Sequence, residues 1–205
     1  MTEVHQSGEV SALRSICVYC GSGAGYSPVY RDAADAFGRA CAARGIRVVF
    51  GGGSIGLMGA LATAAREAGG TVTGIIPQHL RERELADEAV DELLVVDTMH
   101  ARKQRMAERS DGFCVLPGGI GTLDETIEIL TWKQLGLHAK PVVLLDTEGF
   151  WEPLIRLFDH QRAAGFLGEP EPKLFRRAHT VERALALLEQ AASGSVPADA
   201  GLDRT

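Results

Sequence analysis

Short apolar runs bounded by glycine alternate along this chain with longer segments in which apolar residues recur every three or four positions. The runs predict buried strands over 15–20, 47–50, 71–76, 93–96, 112–116 and 141–145. The periodic segments predict helices over 28–44, 57–68, 99–109, 122–135, 150–164 and 180–192. A short edge strand is expected at 175–178, and the charged stretch 77–92 reads as irregular. Start and stop signals sharpen these bounds. Ser27 precedes Pro28, as an N-cap precedes a first helical proline, and Thr98 stands in the same capping position. Gly45, Gly69-Gly70, Gly136 and Gly165 close helices.

Strands alternating with helices of this length form parallel β-α-β units, and right-handed crossovers wind them into one sheet. The expected fold is α/β: a Rossmann-like doubly wound parallel sheet flanked by helices. No linker or repeat divides the chain, so a single nucleotide-binding domain is expected over 14–192, with flexible tails at 1–13 and 193–205. Ligands of such sheets bind beyond the C-terminal strand ends. Two glycine loops and the helix start at Thr98 all fall there.

Composition narrows the function. The chain has 205 residues, 45% of them hydrophobic, enough for one core. No run of about 18 apolar residues is present, so no membrane span is expected. The first fourteen residues lack the basic and apolar regions of a secretory signal, and a cytoplasmic protein is expected. The formal charge is −6, which argues against a nucleic-acid partner yet leaves room for a local anion pocket. Cys17 and Cys20 form a C-x-x-C pair, open to redox or core readings. The pair lies in a strand, where residues three apart point to opposite faces, and this favours core. The six histidines show no metal spacing and no Gly-x-Ser-x-Gly elbow occurs, so neither metal nor cofactor is expected.

Four groups carry candidate chemistry. Gly51, Gly53 and Gly56 match the G-x-G-x-x-G dinucleotide pattern, but the next strand ends Ile75-Ile76-Pro77 without the ribose-binding acid. A loop approaching phosphate and a turn needed for helix packing both remain open there. Pro117-Gly118-Gly119-Ile120-Gly121-Thr122 joins a strand to a helix, where converging amides and the helix start suit one phosphate. No Lys-Ser/Thr follows, so it is not a Walker loop. Glu125, three residues after Thr122, reads as the partner in a capping box or as a carboxylate facing the ligand, and Asp124 and Glu128 are its neighbours. Arg102 and Lys103 fall in the first turns of their helix, where positive charge opposes the dipole. They await an anion, or pair with Asp97, Glu108 or the acids of 87–92.

The motifs Gly51-Gly52-Gly53-Ser54-Ile55-Gly56-Leu57-Met58-Gly59, Met99-His100-Ala101-Arg102-Lys103 and Pro117-Gly118-Gly119-Ile120-Gly121-Thr122-Leu123-Asp124-Glu125, in this order and spacing, resemble the LONELY GUY family. These are cytokinin riboside 5′-monophosphate phosphoribohydrolases, many long labelled possible lysine decarboxylases. The similarity spans roughly 16–188. It implies a homodimer that hydrolyses N6-substituted AMP to free base and ribose 5-phosphate. The family's catalytic arginine and glutamate fall on Arg102 and Glu125. Its nucleotide-binding positions fall on Glu84, Arg102, Lys103, Gly119, Ile120, Gly121, Thr122, Leu123, Asp124, Glu125 and Thr131, and the cradle reading adds Gly118. Two positions depart from the plant pattern, Ile120 for tyrosine and Asp124 for glutamate. Two other readings stand beside this one: a broader AMP nucleosidase, and a non-enzymatic carrier on the same fold, such as a molybdenum-cofactor carrier.

Overall fold

The computed structural model describes residues 13–81, 86–168 and 171–194. Seven strands form one sheet: β1 (Ser15–Tyr19), β2 (Arg47–Phe50), β3 (Val72–Pro77), β4 (Glu92–Val96), β5 (Gly112–Val115), β6 (Val142–Leu145) and β7 (Arg176–Ala178). Their order is β4-β3-β2-β1-β5-β6-β7 and every pair is parallel. The chain moves outward from β1 to β4, then returns to place β5 on the other side of β1. The β1/β5 boundary is therefore the switch point at which an α/β sheet opens a crevice.

The helices are α1 (Pro28–Ala43), α2 (Gly56–Glu67), α3 (Met99–Glu108), α4 (Ile120–Gln134), α5 (Glu152–Ala163), α6 (Glu171–Leu174) and α7 (Val181–Ala192). Strand side chains alternate between two cores. Ile16, Val18, Val48, Phe50, Cys114 and Val143 pack with α1, α2 and α7 on one face. Cys17, Tyr19, Val49, Phe113, Val115 and Val142 pack with α3, α4, α5 and α6 on the other. Cys17 and Cys20 lie in opposite cores, and Cys17, Cys20, Cys41 and Cys114 are buried free thiols. Burial pushes all four thiols up, that of Cys41 to about 12, which leaves them as weakly reactive core residues.

Several local expectations are corrected. Ser27 occupies the N-cap of α1 but its side chain caps nothing, whereas Thr98 and Thr180 accept from the amides of Ala101 and Arg183. The segment expected to be irregular carries a 3₁₀ turn, Gln78–Leu80, and an isolated bridge between Gly53 and Ala86. The expected helix at 150–164 begins at Glu152, after a 3₁₀ turn that holds Glu148 at φ 52°. The short α6 was not anticipated, since a four-residue helix has no periodicity to read.

α4 begins at Ile120, two residues earlier than the periodicity predicts, with Gly119 as N-cap and no side-chain cap. Thr122 is thus inside the helix, and the Thr122/Glu125 capping box is not formed. The apolar period starts late because Ile120 faces outward, 87% exposed, while Thr122 and Glu125 face inward.

Candidate active site

Three loops meet above the β1/β5 boundary. The loop after β1 is bound to the loop after β5 by the Gly21 amide donating to the Pro117 carbonyl, 3.1 Å. Gly21 also offers its carbonyl to the amides of Leu57 and Met58 at 3.0 and 3.4 Å, which caps α2 where Ile55 provides no side-chain cap. Glycine is required at two of these contacts. A Cβ on Gly118 would overlap Oγ1 of Thr122 and stand 2.9 Å from the Gly21 amide nitrogen; one on Gly56 would overlap the Ser22 carbonyl.

A cavity of about 290 Å³ lies between these loops, lined by Val18, Cys20, Gly21, Ser22, Gly51, Met58, Arg102, Gly119, Ile120, Gly121, Thr122 and Glu125. One wall is the start of α4, with no side-chain cap and no acid in its first turn. Its first amides have no partner within the helix, and the helix start carries partial positive charge. A Cβ on Gly119 or Gly121 would meet nothing within 4 Å, so here glycine leaves room instead of relieving a clash. Uncapped amides at a helix start beside open space are the kind of group that can accept an anion.

The opposite wall carries Arg102 from α3, 5% exposed. Its Nε donates to the Ile75 carbonyl at 3.2 Å and its Nη2 to the Gly51 carbonyl at 2.9 Å. Nη1 lies 3.9 Å from Oε1 of Glu125, which is 8% exposed on α4. This buried charge offsets the unfavourable placement of a cation near a helix start. Among the described acids it faces Glu125, from the neighbouring helix on the same side of the sheet, and not Asp97, Glu108 or the acids of 87–92 that sequence proximity offers.

Lys103 turns the other way. Its Nζ contacts Asp124 at 3.1 Å and Glu128 at 3.2 Å, clasping α3 to α4. Burial acts against its ammonium, yet the hydrogen bonds to Asp124 and Glu128 prevail and hold its pKa above the ordinary lysine value.

Arg102, Gly119, Ile120, Gly121, Thr122 and Glu125 thus share one cavity. Gly118 sits behind it, lining a second hollow of about 290 Å³ that shares Gly21, Ser22 and Gly119 with the first. Leu123 packs half-buried on the core, and Asp124 is exposed beside Lys103. Thr131 is exposed on α4, its hydroxyl donating to the Ile127 carbonyl at 2.7 Å. Glu84 lies outside the described residues. Sequence reading missed Ser22, Gly21, Cys20, Val18 and Met58 as lining. The signal for the first four was the glycine turn after β1, at the ligand edge of a strand, and Met58 lay within the Gly51–Gly59 motif. Among the described residues no group of three or more His, Cys, Asp and Glu side chains is arranged to hold a metal ion, and no helix is long and apolar enough to cross a membrane.

The arrangement can bind a monophosphate at α4 and hold a carboxylate and a guanidinium against whatever is attached to it. Residues 58–188 match the family described as possible lysine decarboxylase. The chain is 44% identical over 180 residues to the cytokinin riboside 5′-monophosphate phosphoribohydrolase LOG of Oryza sativa subsp. japonica, covering 88% of this chain and 74% of that one. It is 42% identical over 180 residues to a cytokinin riboside 5′-monophosphate phosphoribohydrolase of Arabidopsis thaliana, covering 88% and 84%. Among solved structures it resembles the Moco carrier protein from Chlamydomonas reinhardtii, with a TM-score of 0.68 and 27% identity over 89% of this chain and 99% of that one.

Proposed function

The chain belongs to the LONELY GUY family, described in its family match as possible lysine decarboxylase, and on that premise we propose that it hydrolyses N6-substituted adenosine 5′-monophosphates to free base and ribose 5-phosphate. The observation that carries this reading is the placement of Arg102 and Glu125, 3.9 Å apart, in one cavity with the uncapped start of α4.

In this reading Gly118 through Thr122 and the helix start hold the 5′-phosphate. The C1′–N9 bond breaks with its electron pair leaving on the base, and positive charge grows on C1′ as in other glycoside cleavages. Glu125 faces that charge and takes a proton from the attacking water, whose oxygen bonds to C1′; that proton is then passed through solvent to the departing base nitrogen, which leaves Glu125 ionised again. Arg102 remains protonated and orients the anion or the departing base. Glu84, Lys103, Leu123, Asp124 and Thr131 complete the family's nucleotide-binding positions.

Lysine decarboxylation is the weaker reading of this site. A Schiff-base lysine must offer a neutral amine, whereas Lys103 is held as an ammonium by two carboxylates. A carrier is the second reading, favoured by the fold shared with the Moco carrier; it predicts tight binding without bond cleavage.

We read the active form as a cytoplasmic homodimer that takes a nucleoside monophosphate and no nucleic acid. Ile120, Ile127, Leu135 and Leu137 are exposed large apolar residues along and just beyond α4, which a partner subunit would cover. Four free thiols suit a reducing compartment.

The test is a product assay with isopentenyladenosine monophosphate, AMP and isopentenyladenosine. Release of base from the first supports the reading. Release from AMP at equal or greater efficiency supports the broader nucleosidase. Release from the riboside alone overturns the phosphate cradle, and binding without release supports the carrier. Sedimentation of the same preparation gives the oligomeric state.

A further inference from the structure

The loop after β2 matches a dinucleotide pattern in sequence, but its geometry points to a different task. We propose that Gly51 is a positioning residue for Arg102: the loop is a socket for the guanidinium and sets which edge of it faces Glu125. This rests on the reaction proposed above.

Two backbone carbonyls at the C-terminal ends of neighbouring strands grip the group, Gly51 on Nη2 at 2.9 Å and Ile75 on Nε at 3.2 Å. A guanidinium is planar, with donors in fixed directions. Two fixed acceptors therefore define its plane and direct Nη1 toward Glu125, 3.9 Å away. The carbonyls cannot follow a guanidinium that moves. Gly52 is packed against the backbone of Ile75, with φ 78°, and its carbonyl accepts from the Asp87 amide at 2.9 Å, while Gly53 bridges to Ala86.

The need for glycine at position 51 comes from Arg102 and not from the backbone. Gly51 is absent from the glycines with positive φ, unlike Gly52 and Gly56. A Cβ there would overlap Nη2 of Arg102, lie 3.1 Å from its Cζ and stand 3.0 Å from Sδ of Met58. Those atoms are the far ends of two flexible side chains. The fold can accept alanine by displacing the guanidinium, which removes its alignment with Glu125 while leaving the cradle at α4 intact.

The experiment compares wild type, Gly51→Ala, Arg102→Lys and the double variant, together with a crystal structure of Gly51→Ala. Expected are a guanidinium displaced from the Gly51 carbonyl with the loop backbone unmoved, and a kcat for base release from isopentenyladenosine monophosphate lowered on the order of 10²-fold with KM nearly unchanged. In the Arg102→Lys background the same alanine changes turnover by no more than about twofold, because the atom it would strike is gone. If Gly51→Ala does not fold but the double variant does, the socket is equally supported. The inference is overturned if the guanidinium keeps its place in Gly51→Ala, if the alanine costs as much in the Arg102→Lys background, or if neither variant folds. A wild type that releases no base from any nucleotide ends the proposed reaction, while the crystal structure still decides the socket.

Discussion

Arg102 and Glu125, from helices on separate crossover units, meet with Nη1 and Oε1 3.9 Å apart and with side chains 6% and 10% exposed. Removing either charge of a pair this buried weakens the compensation of the other, at a cost of roughly 3 kcal/mol. Glu125→Gln keeps the shape and removes the charge that we propose faces C1′. Turnover is expected to fall at least on the order of 10²-fold, with binding of AMP retained. Arg102→Ala is expected to lose turnover to a similar extent and to unfold at lower urea. Steady-state kinetics and calorimetric titration with AMP check both; full activity in Glu125→Gln would remove it from the mechanism.

The glycines of the α4 loop separate into two kinds. Gly118→Ala forces a Cβ onto Thr122 and toward the Gly21 amide, so it is expected to destabilise the fold by about 1–3 kcal/mol. Gly121→Ala meets open space inside a helix, where alanine is favoured by about 1 kcal/mol. That variant is expected to melt at a higher temperature yet show a raised KM, because the added methyl occupies the cradle. Thermal unfolding and KM for the nucleotide, measured together, test the contrast.

Lys103 joins α3 to α4 through two acids of unequal exposure, Asp124 at 59% and Glu128 at 24%. Water screens the first pair, so Asp124→Asn is expected to cost less than about 1 kcal/mol. Glu128→Gln is expected to cost more and Lys103→Met most, an order read from urea midpoints. A KM that rises in Lys103→Met but not in Glu128→Gln would show that the ammonium also reaches the phosphate.

His138 provides a dependence on pH. Its Nδ1 accepts from the Lys140 amide at 3.2 Å, so Nε2 carries the proton and donates to the Ile129 carbonyl at 2.9 Å. Burial lowers its pKa from 6.5 and outweighs the hydrogen bond to the Ile129 carbonyl, which raises it, while the charges of Lys133 and Lys140 add to the lowering. The unfolded chain therefore takes up this proton first as pH falls. The neutral imidazole's contribution is complete above 6.5 and is lost as the pH drops through the folded-state value. Denaturation between about pH 7 and pH 5 is expected to show falling stability, with a shallower slope in His138→Gln.

The elements were legible because each is encoded by neighbours. Strands 47–50 and 112–116 are apolar runs, and α1 and α7 show helical periodicity with proline or threonine at their starts. Of the two readings open for Glu125, the capping box with Thr122 fails for the same reason. It is a local pattern, and two residues of uncapped helix upstream changed its meaning.

The amino-acid sequence alone determined the α/β class, the parallel winding and the three motifs whose order and spacing point to a phosphoribohydrolase. Each is a property of residues within one strand–helix unit, where backbone preference and apolar spacing act over a few positions. Only the tertiary structure decided that Arg102 faces Glu125 and not a nearer acid, that Lys103 turns away to Asp124 and Glu128, and that Gly51 is glycine because a guanidinium lies against it. Those choices depend on which strand ends the winding brings side by side, a distance in space that no separation along the chain encodes.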